Sequence, residues 1–255
     1  MRAPDELRAL VEEALGTLEF SADLGVLADV LRYPLESGGK RIRPVLALAT
    51  GEASGAPVEQ VLPAALAIEL VHTFSLVHDD LPALDDDDER RGRPSVHVAH
   101  GEGAALLAGD ALLAEAFRIA LSYDTPAVGR ELAAATLGMI GGQHLDITGS
   151  TDLAALHRLK TGCLFAASVG CALWAAGVPQ GRQAPWRAFG DELGLLFQIV
   201  DDVLDGDGYV QAYGIERARA LAEEAADRAR ARLDAIDADT SVLESLVGDL
   251  AVRTA

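Results

Sequence analysis

Phe197-Gln198-Ile199-Val200-Asp201-Asp202-Val203-Leu204-Asp205 is the stretch on which the fold turns. At about 100° per residue with Gln198 as zero, Asp201 falls at about −60°, Asp202 at about 40° and Asp205 at about −20°. These four polar groups share one arc. Leu195, Leu196, Ile199, Val200, Val203 and Leu204 cover the opposite side. A helix so apolar is mostly buried, so its acidic stripe must face something other than bulk solvent.

Outward from this segment the pattern stays helical. Ala and Leu dominate, β-branched residues are sparse, and apolar and polar residues nowhere alternate for long enough to make a strand. Breakers recur at intervals suited to helices of three to six turns, among them Ser37-Gly38-Gly39, Pro82, Gly92 to Pro94, Asp124 to Pro126, Gly149-Ser150, Gly177 to Pro179 and Gly206 to Gly208. No Pro-, Gly- or Ser-rich linker divides the chain and no repeat of fixed period is present. The expectation is one all-α domain over 1–255, with about ten helices.

Composition narrows the partners. With 21 basic and 40 acidic residues the net charge is −19, which argues against nucleic acid, because phosphate binding needs an excess of Lys and Arg. Two cysteines, Cys163 and Cys171, make no disulfide framework and read as core thiols in a reducing cytoplasm. The N-terminus turns acidic within six residues without an apolar run behind it, unlike a signal peptide. The apolar run from Leu164 to Val178 is shorter than the roughly 20 residues that cross a bilayer, so it reads as a buried helix and no span is expected.

A second acidic cluster sits upstream, at Asp79, Asp80 and Asp85 to Asp88. Val61 to Asp80 reads as one long apolar helix that Pro82 ends. Two adjacent carboxylates at a helix C-terminus oppose the macrodipole and call for a cation. Hard oxygen ligands in groups of two or three suit Mg²⁺, which usually shares its sphere with substrate phosphates. No Cys or His pair at zinc spacing accompanies them. Two such clusters on separate helices suggest a multi-metal clamp on a polyphosphate leaving group. Cations match the anions: Lys40, Arg41 and Arg43 follow the Gly38-Gly39 pair, Arg90, Arg91 and Arg93 follow the acidic run, and His157-Arg158-Leu159-Lys160-Thr161-Gly162 adds a third patch, in a chain with only two lysines.

Together these motifs resemble the trans-isoprenyl diphosphate synthases, short-chain polyprenyl synthetases of the farnesyl and geranylgeranyl diphosphate synthase type, over nearly the whole chain. Gly38-Gly39-Lys40-Arg41-Ile42-Arg43-Pro44 is similar to the family's isopentenyl-diphosphate site. Asp79-Asp80 with Asp85 and Arg90-Arg91-Gly92 resembles its first aspartate-rich motif. Gly141-Gly142-Gln143-His144-Leu145-Asp146, Lys160-Thr161-Gly162 and the 197–205 segment resemble the later motifs, in family order. The resemblance implies an isoprenoid-synthase-like helical bundle around a deep central cavity. It implies that Asp79, Asp80, Asp85, Asp201, Asp202 and Asp205 hold, directly or indirectly, three Mg²⁺ on an allylic diphosphate such as dimethylallyl or geranyl diphosphate. Arg90, Lys160 and Gln198 would contact that substrate. Gly39, Lys40, Arg43, His72 and Arg91 would bind isopentenyl diphosphate. His72 lies about 20° from Asp79 on a helical wheel, so both can face one cavity. Lys160, Thr161 and Gln198 would present oxygens to an allylic carbocation.

The resemblance also implies a homodimer, and it puts the floor of the product tunnel five residues before Asp79, at Phe74 beside Ser75. An aromatic floor favours farnesyl over geranylgeranyl diphosphate, although Phe74 lies about 140° from Asp79 on the wheel. A terpene cyclase would carry an Asn/Ser/Glu metal motif in place of Asp201 to Asp205, and a non-catalytic partner subunit would have lost aspartates or Arg90-Arg91. One segment departs from the family. A loop carrying a Gly-Lys pair, then a second lysine before a Tyr, is expected between Gly208 and Tyr209, yet Tyr209 follows at once. Mobile loops closing over the site are the expected explanation, and residues 149–152 are short as well.

Overall fold

Apolar side chains all round its circumference force one helix into the middle of the molecule. In a computed structural model of the chain, which describes residues 1–149 and 152–252, this helix is α4 (Val58–Asp79). Val61, Ala64, Ala65, Ile68, Leu70 and Val71 on it are fully buried. Its length and hydropathy would reach across a bilayer, so the longest apolar element is α4 and not the Leu164–Val178 run, but most of it is buried inside the protein. It packs against α3 (Ile42–Ala53), α6 (Glu102–Ala120) and α9 (Cys163–Ala175).

Around this centre lie α1 (Pro4–Gly16), α2 (Leu27–Leu35), α7 (Ala127–Ile147), α10 (Ala184–Asp205), α12 (Ile215–Asp234) and α13 (Ser241–Ala251). These and the four central helices are the ten of nine or more residues among the described residues. The five-residue helices α5 (Val96–His100), α8 (Leu153–His157) and α11 (Tyr209–Tyr213) were not separable in the sequence from the turns that flank them. Helices α7 and α10 both pack on α9, and α12 covers α10. The short connection at Ser150 and Thr151 lies outside the described residues.

Local signals act where the sequence puts them. Helix α4 ends at Asp79 ahead of Pro82, and α10 ends at Gly206, which caps it in the left-handed conformation (φ 72°). The basic run 90–93 folds into a hairpin, β1 (Glu89–Arg90) against β2 (Arg93–Pro94). Its two central residues, Arg91 (φ 56°) and Gly92 (φ 74°), both have positive φ, as the tightest hairpin turn demands. Arg90 turns toward the end of α4, and Arg91 toward the 37–39 loop.

Candidate active site

Residues of α1, α3, α4 and α10 and of the hairpin bring two of the basic clusters around one cavity of about 760 Å³, lined by Arg8, Gly39, Lys40, Arg43, His72, Arg90, Arg91, Thr161 and Asp201. Arg91 donates to the Gly38 carbonyl and reaches the Ser37 hydroxyl at 3.4 Å. A side chain at Gly39 (φ 146°) would meet the Arg91 guanidinium at 2.8 Å, so glycine there lets Arg91 lie close to the loop without displacement. Arg43 Nη1 lies 3.5 Å from His72 Nε2, with its guanidinium 4.6 Å from the Phe165 ring centre and 5.6 Å from that of Phe197. Its Nε is buried without a partner. Burial lowers the Arg43 pKa, and burial together with Arg43 and Arg91 holds His72 well below its ordinary value, hence neutral. Arg43 is thus enclosed with no carboxylate in ion-pair contact among the described residues, an arrangement whose charge an anion in this cavity could offset.

A second cavity of about 560 Å³ shares Arg43, His72 and Thr161 with the first and runs between α4, α6 and α7. Phe74, Ser75, Leu113, Met139, Ile140 and Leu164 line its apolar part, and Asp79 and Lys160 add charged groups to its wall. Phe74 is buried and packs edge-on against His78, ring centres 5.1 Å apart. The 140° between Phe74 and Asp79 on the wheel therefore does not separate them, because the cavity wraps around α4.

The first acidic cluster divides its labour. Asp80 is only 2% exposed and accepts from Arg90 Nε at 3.0 Å, while Arg90 Nη2 reaches Asp87 at 3.1 Å. Gln143 Nε2 donates to Asp85 Oδ1 at 3.1 Å. Asp79 has no ion-pair partner among the described residues. Burial pushes its pKa up to about 7, Lys160 opposing and Asp85 and Asp80 adding to the rise. Lys160 itself pairs with Asp146. It sits on a wide π-turn over Arg158–Gly162, and Gly142 of α7 lies directly beneath its backbone, where any side chain would collide.

The second cluster splits, against the expectation of one shared stripe. Asp201 faces the anion cavity, and burial raises its pKa, with Asp205 adding and Lys40 opposing. Asp202 is turned inward, 6% exposed, accepting from Gln198 Nε2 at 2.7 Å and the Tyr209 backbone N–H at 2.8 Å, with His157 Nε2 at 3.7 Å. Asp205 is exposed. Gln198 accordingly lines a separate groove and holds Asp202, where the sequence reading put it against substrate. Among the described residues no three His, Cys, Asp or Glu side chains form a metal cage on their own. Asp79, Asp85, Asp201 and Asp205 are hard-oxygen donors with no ion-pair partner among the described residues, and their chemistry suits Mg²⁺ ions that complete their spheres with phosphate oxygens and water.

The junction after Gly208 is tight. Gly208 and Tyr209 are consecutive, the Ala212 N–H donates to the Gly208 carbonyl at 3.0 Å, and α11 starts at once. The lysines expected there are absent from this chain. Sequence reading counted Arg41 among the cations and passed over Glu69, with which it forms a buried ion pair beside the anion cavity. A lone carboxylate inside the apolar run of α4 was the available signal. Cys171 is buried and Cys163 half-buried. Both are free thiols whose pKa burial raises, Cys163 to about 11, so both belong to the core.

Residues 25–218 match the polyprenyl synthetase family model. The farnesyl diphosphate synthase of Escherichia coli (strain K12) is 37% identical over 290 aligned positions, covering 96% of this chain and 97% of that one. That alignment is longer than the 255 residues here, so the relative carries stretches this chain lacks. The geranylgeranyl diphosphate synthase of Cyanophora paradoxa is 40% identical, across 78% of this chain and 72% of its own. Among solved structures, the geranyltransferase of Legionella pneumophila superposes with a TM-score of 0.87 at 32% identity, covering 98% of this chain and 96% of that one.

Proposed function

The chain belongs to the polyprenyl synthetase family, and on that premise we propose that it joins isopentenyl diphosphate to an allylic diphosphate as a trans-prenyltransferase. The observation that carries this reading is the meeting of an anion cavity and an apolar tunnel at Arg43, His72 and Thr161. A substrate with a diphosphate head and a hydrocarbon tail needs both at once. Lys40, Arg43, Arg91 and neutral His72 hold the isopentenyl diphosphate. Arg90 and Lys160 face the allylic diphosphate, with Asp79, Asp85, Asp201 and Asp205 as the residues that would hold Mg²⁺, three ions by resemblance. When bound, Mg²⁺ supplies the charge that offsets the departing diphosphate. Asp80 and Asp202 act at one remove, Asp80 by fixing Arg90 and Asp202 by fixing the α10–α11 junction through Gln198 and Tyr209.

Ionisation leaves an allylic carbocation at the junction of the cavities, where the Thr161 and Lys160 oxygens face it and the apolar walls exclude water that would give an alcohol. The double bond of isopentenyl diphosphate attacks the cation, and the lost proton passes to the released diphosphate. Phe74 as the tunnel floor supports farnesyl diphosphate as the product. Geranylgeranyl diphosphate is the alternative that the relatives support equally. The test is incubation with Mg²⁺, labelled isopentenyl diphosphate and geranyl diphosphate, followed by extraction and sizing. No labelled C15 or C20 product would refute the reading.

A second copy of the chain is the partner we propose. Leu106 and Leu107 on α6 and Leu137 and Ile140 on α7 are 48–71% exposed. Ile140 and Ile147 also line the tunnel while half-exposed, so a copy seated there would complete its wall. Two free thiols and no disulfide among the described residues suit a reducing cytoplasm as the place of action. One domain over 1–255 is the organisation this reading takes.

A further inference from the structure

Arg41 lies between Lys40 and Arg43 but does a different job. Its side chain is 0% exposed, while Lys40 is exposed. Its Nη1 meets Glu69 Oε1 on α4 at 2.5 Å, its Nε meets Glu12 Oε1 on α1 at 2.9 Å, and its Nη2 donates to the Leu35 carbonyl at the end of α2. One guanidinium thus ties the start of α3 to three other helices. Its backbone is left-handed (φ 48°, ψ 31°), a conformation that a non-glycine residue adopts only under constraint. That turn reverses the chain between Lys40 and the first turn of α3, so that Lys40 and Arg43 line the same cavity. Glu69 stands three residues before His72, on one face of α4. The same carboxylate therefore links the helix that carries His72 to the loop that carries the two cations.

We infer that Glu69 and Arg41 are positioning residues: a buried strut that sets Lys40, Arg43 and His72 at the spacing of one diphosphate. The strut rests on the proposed function only for the identity of that anion as isopentenyl diphosphate. A buried ion pair is a poor source of net stability, because desolvation offsets its attraction, so its worth here lies in geometry. Simple electrostatics and the strut disagree in sign. Removing a buried negative charge beside Lys40 and Arg43 should tighten anion binding by charge alone, whereas loss of the strut should weaken it.

Inorganic pyrophosphate titrated calorimetrically into metal-free protein in EDTA, with circular dichroism and a thermal melt in parallel, decides between them. Glu69→Gln and Arg41→Lys, the second keeping the charge and losing the fork, should each weaken pyrophosphate by roughly tenfold to a hundredfold, the scale of a misplacement near 1 Å. In turnover, KM for isopentenyl diphosphate should rise by a similar factor while KM for the allylic substrate stays put. Both variants should lower the melting temperature, because each disturbs a buried pair, but a merely structural pair would move both KM values together, which overturns the strut. Unchanged or tighter pyrophosphate binding in whichever variant folds also overturns it. Should the wild type bind pyrophosphate yet transfer no prenyl group, the proposed function falls, and a weakened variant still upholds the strut.

Discussion

Phe74→Ala separates two roles that a buried aromatic can hold. The side chain is 6% exposed and packs on His78, but one side of it borders the open tunnel. Truncating a buried Phe costs about 3–5 kcal/mol. With neighbours missing on the tunnel side, the lower end applies, about 3 kcal/mol, of which the aromatic pair is about 0.5–1.5 kcal/mol. In a chain this long that lowers the melting temperature by about 6–12 °C. The vacated volume, roughly one side chain, would join the tunnel that Phe74 lines with Leu113 and Met139. Product should therefore lengthen by one or more C5 units, read by extracting and sizing labelled product next to a thermal melt of the same preparation. If stability falls by the expected amount while the product distribution matches wild type, Phe74 is core and not floor, and the preference for a C15 product goes with it.

Asp80→Ala and Asp202→Ala should each slow turnover by about a hundredfold or more, the scale of losing a preorganised electrostatic element, and near-normal rates in steady-state assays would remove them from the site. Exhaustive EDTA treatment should abolish turnover and Mg²⁺ alone restore it; undiminished turnover would sink the metal assignment. The metal should also stabilise the protein in a pH-dependent way. A carboxyl raised to about 7, as Asp79 is, contributes stability that is full below its unfolded pKa and lost as pH rises through about 7. Ionised above that, it is the form a cation binds, so Mg²⁺ should raise the melting temperature more at pH 8 than at pH 6; equal shifts would contradict Asp79 as a ligand. Light scattering at micromolar concentration should give a dimer mass, and Leu137→Glu on the exposed face of α7 should shift it to monomer; a wild-type monomer would refute the second-copy wall.

The sequence by itself settled the helical class and where α4 and α10 stop, because each depends on information local to a few turns. Pro82 stops a helix wherever it stands, and aspartates at 201, 202 and 205 share a face of any α-helix. Three things only the tertiary structure decided. Asp201 and Asp202 point to different surroundings because α11 folds back at Tyr209 and claims Asp202, a contact that no helical wheel contains. Phe74 and Asp79 line one cavity because side chains of α6 and α7 share it with α4, so angular separation on one helix does not measure separation in the space beside it. Glu69 and Arg41, 28 residues apart, become a strut because α3 and α4 pack side by side, and burial turns two ordinary charges into a pair that neither can leave alone. Periodicity is a property of the chain, whereas which neighbour covers each face is a property of the packing.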